Sequence, residues 1–247
     1  MATESQIIDA NTMIGLHPTH KLDMSIERLV AEMDKHGIAA GLILSTIGLY
    51  HSWAEGNAAG LEAAKTNKRL VPVGTVNPLK YFGSAGDLQA IRAAGFRIFK
   101  FCPADQGWEV GSAAFRAVLR DLASLKVPVM LDTPQPGEPS KASQAAADYP
   151  APVVLCSISL DTLAEALELM VDLPQLMIET HELHVPGALK LIADRVGADR
   201  IVFGSGAPRR SIASSLHYVL NSELSEEDKQ KVLGGNIRRI LEAVQVA

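Results

Sequence analysis

The sequence predicts an α/β protein, a (β/α)8 TIM barrel with an extra C-terminal helix. Three observations carry that expectation. Short β-rich runs alternate with Ala/Leu/Glu-rich amphipathic stretches eight times along the chain. The length, 247 residues, matches the roughly 250 that such a barrel needs. Runs such as LVPVGTV (70–76) and VPVML (127–131) are apolar almost throughout, as strands of a parallel sheet covered on both faces should be. An open doubly wound sheet would place a Gly-rich phosphate turn after an early strand, and the sequence has none.

The strand-like runs are QIIDAN (6–11), AGLILS (40–45), LVPVGTV (70–76), FRIFKFC (96–102), VPVML (127–131), VVLC (153–156), QLMIE (175–179) and RIVFG (200–204). Each is rich in β-branched or aromatic residues and ends in a polar or Gly/Pro segment. Amphipathic stretches follow at about 24–36, 55–66, 84–94, 112–125, 140–148, 160–171, 186–195 and 211–221, and a last one at about 225–245 closes the chain. The Pro-rich PQPGEPS (134–140) falls where the loop after the fifth strand belongs, so it reads as a loop and not a linker. Residues 1–247 are expected to form a single barrel domain.

Composition narrows the function. Lys plus Arg number 23 against 28 Asp plus Glu, a formal net charge of −5. Such a balance disfavours nucleic acid and anionic membranes as partners. No window approaches 18 uninterrupted apolar residues, the length that a membrane span needs. The opening MATESQIIDA lacks a basic segment followed by an apolar one. Cys102 and Cys156 are isolated, with no CxxC spacing, which argues against a disulfide framework or a zinc knuckle. A reduced, cytoplasmic location is expected.

The motifs IIDANTMIG (7–15), LVPVGTVNP (70–78), GFRIFKFCP (95–103), VPVMLDTP (127–134), VVLCSIS (153–159), LMIETHE (176–182), GADRIVFGSGAP (197–208) and LSEEDKQKVLGGNIRRIL (224–241) occur in this order. Together they resemble the amidohydrolase superfamily, in its amidohydrolase-related, decarboxylase-like branch, over nearly the whole chain. The resemblance implies a divalent metal held by two first-strand histidines, a fifth-strand histidine and an eighth-strand aspartate, commonly joined by a sixth-strand histidine. At those positions this chain has Asn11 and Met13, Asp132, Gly206 and Ser157. A zinc-like ion wants three imidazole, carboxylate or thiolate ligands and an open position for water. Only Asp132 could still serve, so the expectation is no metal and no cofactor at the usual place.

This fold carries its sites at the C-terminal ends of the strands, and several other polar residues are expected to converge there. Lys100 and Cys102 share one face of the fourth strand by period-2 alternation. If that face is inward, Lys100 meets Asp132 at the mouth, as an acid/base couple, a Schiff-base lysine or a cavity-filling salt bridge. His181, after strand seven, is a further candidate for the chemistry, also as partner of a cysteine nucleophile, although free cysteines are more often small buried hydrophobes. Asn11, Ser157, Arg209 and Trp53 are expected to touch substrate. Arg209 and Arg210, after strand eight, suit a small anionic or carboxylate ligand. Tyr50, Trp53 and Trp108 could cover a pocket. Ser157 and Ser159 lack the Gly-x-Ser-x-Gly context of a nucleophile elbow. His36 and His217 fall in helices and read as surface or packing residues.

Three functions follow. One is a barrel without metal chemistry that binds a ligand or scaffolds a partner, such as a relative or a second copy. The next is a metal-independent hydrolase or lyase that handles a small carboxylate-bearing substrate through Lys100, Asp132 and His181. The third recruits a metal to loop histidines, from His17, His20, His51, His181 and His184.

Overall fold

The structure is a computed structural model that describes residues 6–18 and 21–244. Eight parallel strands follow the order of the chain: β1 (Ile7–Ile14), β2 (Ile38–Ser45), β3 (Leu70–Pro72), β4 (Phe99–Phe101), β5 (Val129–Asp132), β6 (Val153–Cys156), β7 (Leu176–Glu179) and β8 (Ile201–Val202). They pair as an arc β1-β2-β3 and an arc β4-β5-β6-β7-β8. Parallel bridges join the arcs at both seams, Gly74 to Phe99 and Thr12 to Ala207. Ala10 N donates to Phe203 O and Met13 N to Ala207 O across the second seam. This is the α/β barrel that the sequence predicts, with strands within a few residues of the expected runs.

Apolar residues sort by strand face. Phe99, Phe101, Val129, Leu131, Val153, Leu155, Leu176 and Ile178 pack outward against the helices, while Ile98, Met130, Val154 and Met177 fill the interior. The helices show their own start signals. Ser25 caps Ile26–Lys35, Ser52 caps Trp53–Thr66, Ser112 caps Ala113–Ser124, and Ser159 with Thr162 forms a capping box on Leu160–Asp172. The expected last helix is a helical run over Glu226–Gln230, Lys231–Gly235 and Asn236–Glu242, with a π turn in its middle. Its Ile237, Ile240 and Leu241 join the interior cluster beside Ile8 and Ala10, so it plugs the N-terminal end of the barrel. The short helices Thr46–Tyr50 and Pro103–Gln106 were not expected. Among the described residues no helix is long and apolar enough to cross a membrane.

Candidate active site at the barrel mouth

The C-terminal ends of the strands surround a cavity of about 570 Å³. Period-2 alternation on β4 turns Lys100 inward between the outward Phe99 and Phe101. The same rule brings Asp132 inward after Met130 and Glu179 inward after Met177. On β1 the register shifts between Asp9 and Thr12. That irregularity lets Ala10 serve the interior cluster while Asn11 and Met13 line the cavity, the re-aiming of side chains for which bulges are known.

These residues form one connected network. Lys100 Nζ donates to Asn11 Oδ1 at 2.6 Å and lies 3.4 Å from Asp132 Oδ1. Asn11 Nδ2 donates to Glu179 Oε2 at 2.9 Å. Glu179 Oε1 accepts from the His181 backbone N–H at 2.6 Å, and Oε2 lies 2.5 Å from His181 Nδ1. A carboxylate on Nδ1 fixes the tautomer with its proton there and leaves Nε2 as the free acceptor. Ser157 Oγ lies 3.5 Å from that Nε2.

Burial and charge compete in each group. Burial works against the Lys100 ammonium, but the Asp132 carboxylate overrides it and holds the amine above the usual lysine value. Burial would raise Asp132, yet Lys100 and His181 draw it below the carboxylate range. Glu179 is likewise held low, against its burial, by His181. His181 is raised, against its burial, by Glu179. Behind them Asp9 accepts from Ser205 N at 2.9 Å and Ser205 Oγ at 2.5 Å, and burial outweighs these bonds to bring its carboxyl to about 6.

Two glycines on the eighth-strand segment make room for this arrangement. A Cβ on Gly204 would lie 2.2 Å from Glu179 Oε1 and 2.8 Å from Asn11 Cβ. A Cβ on Gly206, whose φ is +72°, would lie 2.9 Å from His181 Cδ2. The position where the resemblance expects a metal-binding aspartate is therefore occupied sterically by the imidazole.

An outer ring of ion pairs surrounds the network. Both Nη atoms of Arg209 donate to Asp105 Oδ2, at 3.0 and 3.1 Å, and one also reaches Tyr50 Oη, which in turn donates to Asp105 Oδ1 at 2.9 Å. Arg210 pairs with Glu182. One buried atom on a cavity-lining residue, Arg209 Nε, lacks a hydrogen-bond partner among the described residues, whereas Asp132 Oδ1 is held only by its ion pair with Lys100.

The structure brings together Lys100, Asp132, His181, Asn11, Ser157 and Arg209 as expected, all on the cavity wall. It corrects several other expectations. Trp53 does not line the cavity; it opens the helix Trp53–Thr66 and packs against the core between strands and helices. Trp108 is also a core residue, in edge and tilted contacts with Phe101 and Phe115. Cys102 and Cys156 are fully buried, and burial pushes both thiols well above the ordinary value, so neither is poised as a nucleophile. The arginine expected to face an anion already holds Asp105 with both terminal nitrogens. Ser157 departs from expectation in the other direction: its φ of +62° puts a non-glycine residue in the left-handed region between β6 and the next helix.

Glu179 was not singled out in the sequence. Its signal was the Glu-x-His spacing at the end of β7, which places carboxylate and imidazole on one side of the chain. Among the described residues the loop histidines are not gathered into a metal site, although His17 and His181 both line the cavity. His51 and His184 are exposed, His184 against Tyr218, and His20 lies outside the described residues. Among the described residues no three His, Cys, Asp or Glu side chains are grouped to hold a metal ion. The donors at the expected ligand positions, one carboxylate beside an amide, a thioether, a hydroxyl and an ammonium neighbour, do not fit a divalent cation.

Comparisons with known proteins agree with the frame. The family model described as Amidohydrolase matches residues 46–243. No curated protein sequence matches the chain. Among solved structures, a TIM-barrel protein from Bordetella bronchiseptica superposes with a TM-score of 0.78 at 18% identity, over 97% of this chain and 99% of its own. The 5-carboxyvanillate decarboxylase LigW from Sphingomonas paucimobilis gives 0.76 at 14% identity, over 96% and 99%. A dihydroxybenzoic acid decarboxylase from Polaromonas, solved with bound manganese and 2-nitroresorcinol, gives 0.76 at 14% identity, over 97% and 98%. At such identities the likeness concerns the fold.

Proposed function

The chain belongs to the amidohydrolase family, and from that premise we propose that it is a metal-independent hydrolase for a small carboxylate-bearing substrate. One observation carries the proposal: the Lys100 ammonium, 2.6 Å from Asn11 Oδ1 and 3.4 Å from Asp132 Oδ1, bridges two positions where the resemblance leads one to expect metal ligands. A fixed positive charge at the mouth is retained, but it is covalently part of the chain.

The energetics favour a working site over a vestige. Replacing a buried ion pair by well-packed apolar residues is often neutral or stabilising by about 1–4 kcal/mol. A barrel freed from chemistry would be expected to fill its mouth with aliphatic side chains, as its floor is filled. Instead Lys100, Asp132, Glu179 and His181 are gathered there, each with a shifted proton affinity, the pattern of functional sites.

In this reading the substrate carbonyl enters the cavity. Asn11 and Asp132 hold two of the three ammonium protons of Lys100, and the third stabilises negative charge developing on the carbonyl oxygen. His181 Nε2, steadied through Nδ1 by Glu179, takes the proton of the attacking group. The unpartnered Arg209 Nε would meet a substrate carboxylate, since a buried polar atom left unpaired costs about 1–3 kcal/mol. That same orphaned atom also suits the second reading, a non-catalytic barrel that binds a small carboxylate or serves as a scaffold.

The test is turnover of a panel of small esters and lactones bearing a free carboxylate, by purified protein with metal measured per chain. The hydrolase reading expects activity that survives exhaustive chelation and falls at least ~100-fold in Lys100→Met. Activity that tracks about one bound divalent ion per chain would overturn it. Calorimetric binding without turnover would establish the second reading.

A further inference from the structure

We propose that Ser157 is the nucleophile of this site and that hydrolysis proceeds through an acyl-enzyme on its Oγ. The proposal rests on the hydrolase reading above, but the covalent step is separable from it, because His181 could equally activate water.

Four observations point to the serine. First, the relay is assembled: Glu179 Oε2 lies 2.5 Å from His181 Nδ1, and His181 Nε2 lies 3.5 Å from Ser157 Oγ. Nucleophile, base and orienting carboxylate are in the order that serine chemistry needs, and the outer hydrogen bond is commonly loose before substrate binds. Second, Ser157 occupies a φ of +62° at the junction of β6 and the helix Leu160–Asp172. A left-handed non-glycine residue at a strand-to-helix turn stores backbone strain that needs a reason. Third, helix capping is not that reason, because Ser159 and Thr162 supply the capping box and leave the Ser157 side chain on the cavity wall. Fourth, the space for the imidazole and its carboxylate depends on Gly206 and Gly204, whose Cβ atoms would collide with His181 and Glu179. Base and orienter are therefore accommodated by the backbone of β8 as a unit, with the serine as the hydroxyl that the base reaches.

The substrate class follows from these parts: an ester or lactone of a small acid that carries a second carboxylate. Ser157 Oγ attacks the carbonyl carbon while its proton passes to His181 Nε2. The new C–O bond forms, and the tetrahedral oxyanion faces the Lys100 ammonium. Collapse breaks the bond to the leaving oxygen, which takes the proton from His181. Water then attacks the acyl group, its proton passes to His181 and on to Ser157, and the acid departs. The sum is ester plus water giving acid plus alcohol, with no oxidant, reductant or further co-reactant.

The experiment treats the full chain with a fluorophosphonate, which phosphonylates an activated serine with loss of fluoride, and maps the adduct by mass spectrometry. Ester turnover is measured in parallel. The expected result is one adduct per chain on Ser157, competed by a turned-over ester, with labelling at least ~100-fold slower in His181→Gln. Two serine variants guard against misfolding. Ser157→Ala removes the hydroxyl, and Ser157→Gly also tolerates the left-handed backbone; both should lose labelling and at least ~1000-fold of turnover while keeping the wild-type circular dichroism. If Ser157→Gly keeps turnover within ~tenfold of wild type while His181→Gln loses it, water is the nucleophile: the acyl-enzyme is overturned and the hydrolase reading stands. An adduct on another residue overturns the nucleophile alone. Neither labelling nor turnover in the wild type overturns both.

Discussion

The two ends of the barrel interior are built by opposite rules. At the floor, Ile8, Ala10, Val154 and Val202 meet Ile237, Ile240 and Leu241 of the closing helix. At the mouth, a few residues further along the same strands, Asn11, Lys100, Asp132 and Glu179 face one another. One strand therefore changes from hydrocarbon to charge within two positions, as from Met177 to Glu179 or Met130 to Asp132. The floor lowers the free energy of the folded state by removing apolar surface from water. The mouth buries charges whose desolvation is only offset by pairing. The contrast teaches that stability and function divide along the barrel axis, which makes them separable by mutation.

The sharpest test of that division is His181→Gln. It keeps the side-chain volume close to the original and removes the base, so kcat should fall by ~1000-fold or more, while the Gln amide can still donate to the buried Glu179 and keeps the loss of stability below that of Lys100→Met. In the wild type, only neutral His181 can accept a proton. Its affinity for the proton is raised by Glu179, so kcat/KM should rise with pH through a value above the ordinary histidine value of 6.5, and the inflection should vanish in the variant. A flat profile in the wild type would remove His181 from the chemistry.

Next in size is Lys100→Met, which leaves Asp132 without its cation. Breaking a buried pair from one side costs about 3–5 kcal/mol, measurable by urea denaturation. Adding Asp132→Leu should recover most of that loss while activity stays absent. If the double variant is no more stable than the single one, the pair is not a self-contained ionic unit and the mouth is stabilised by something else.

The floor supplies the counterpart. Ile237→Ala removes a fully buried side chain and should cost about 2–5 kcal/mol. It lies at the opposite end from the network, so kcat and KM should be unchanged at temperatures where the variant is folded. A large loss of kcat would mean that the two ends are coupled through the strands.

Much of this division was legible in the sequence, and the exceptions are instructive. The inward placement of Lys100 followed from the alternation in Phe-Lys-Phe-Cys, because a strand leaves only two directions for a side chain. The approach of Asp132 followed from parallel order, since neighbouring strands end at one level; Lys100 pairs in register with Met130. Contacts across long stretches of chain were not legible. Arg209 and Asp105 are 104 residues apart, and nothing local in either segment announces that Asp105 consumes the donors expected to face a ligand. Trp53 misled because its position after β2 suggests a mouth loop, whereas the intervening helix Thr46–Tyr50 and the Ser52 cap carry it to the core. Ser157 lacks the flanking glycines that mark a nucleophile elbow in a sequence, yet the fold imposes the left-handed turn without them.

The finest prediction concerns Gly206, where shape and charge meet. A methyl group there would lie 2.9 Å from His181 Cδ2 and 3.2 Å from Arg210 Cγ. Arg210 is half exposed and can yield, but the imidazole is pinned by a buried carboxylate and must tilt. Overpacking of this kind costs about 1–3 kcal/mol, and the positive φ of Gly206 adds strain for any L residue. Gly206→Ala should therefore be modestly destabilised and should lose kcat by ~10–100-fold, because misplacement of about 1 Å is enough for such a loss. KM should change little, since Arg209 and Lys100 remain in place to hold the substrate. This split separates positioning from binding. A variant with wild-type kcat would show that the imidazole tolerates displacement, and the absence of a side chain at the eighth-strand position would then require an explanation other than room for His181.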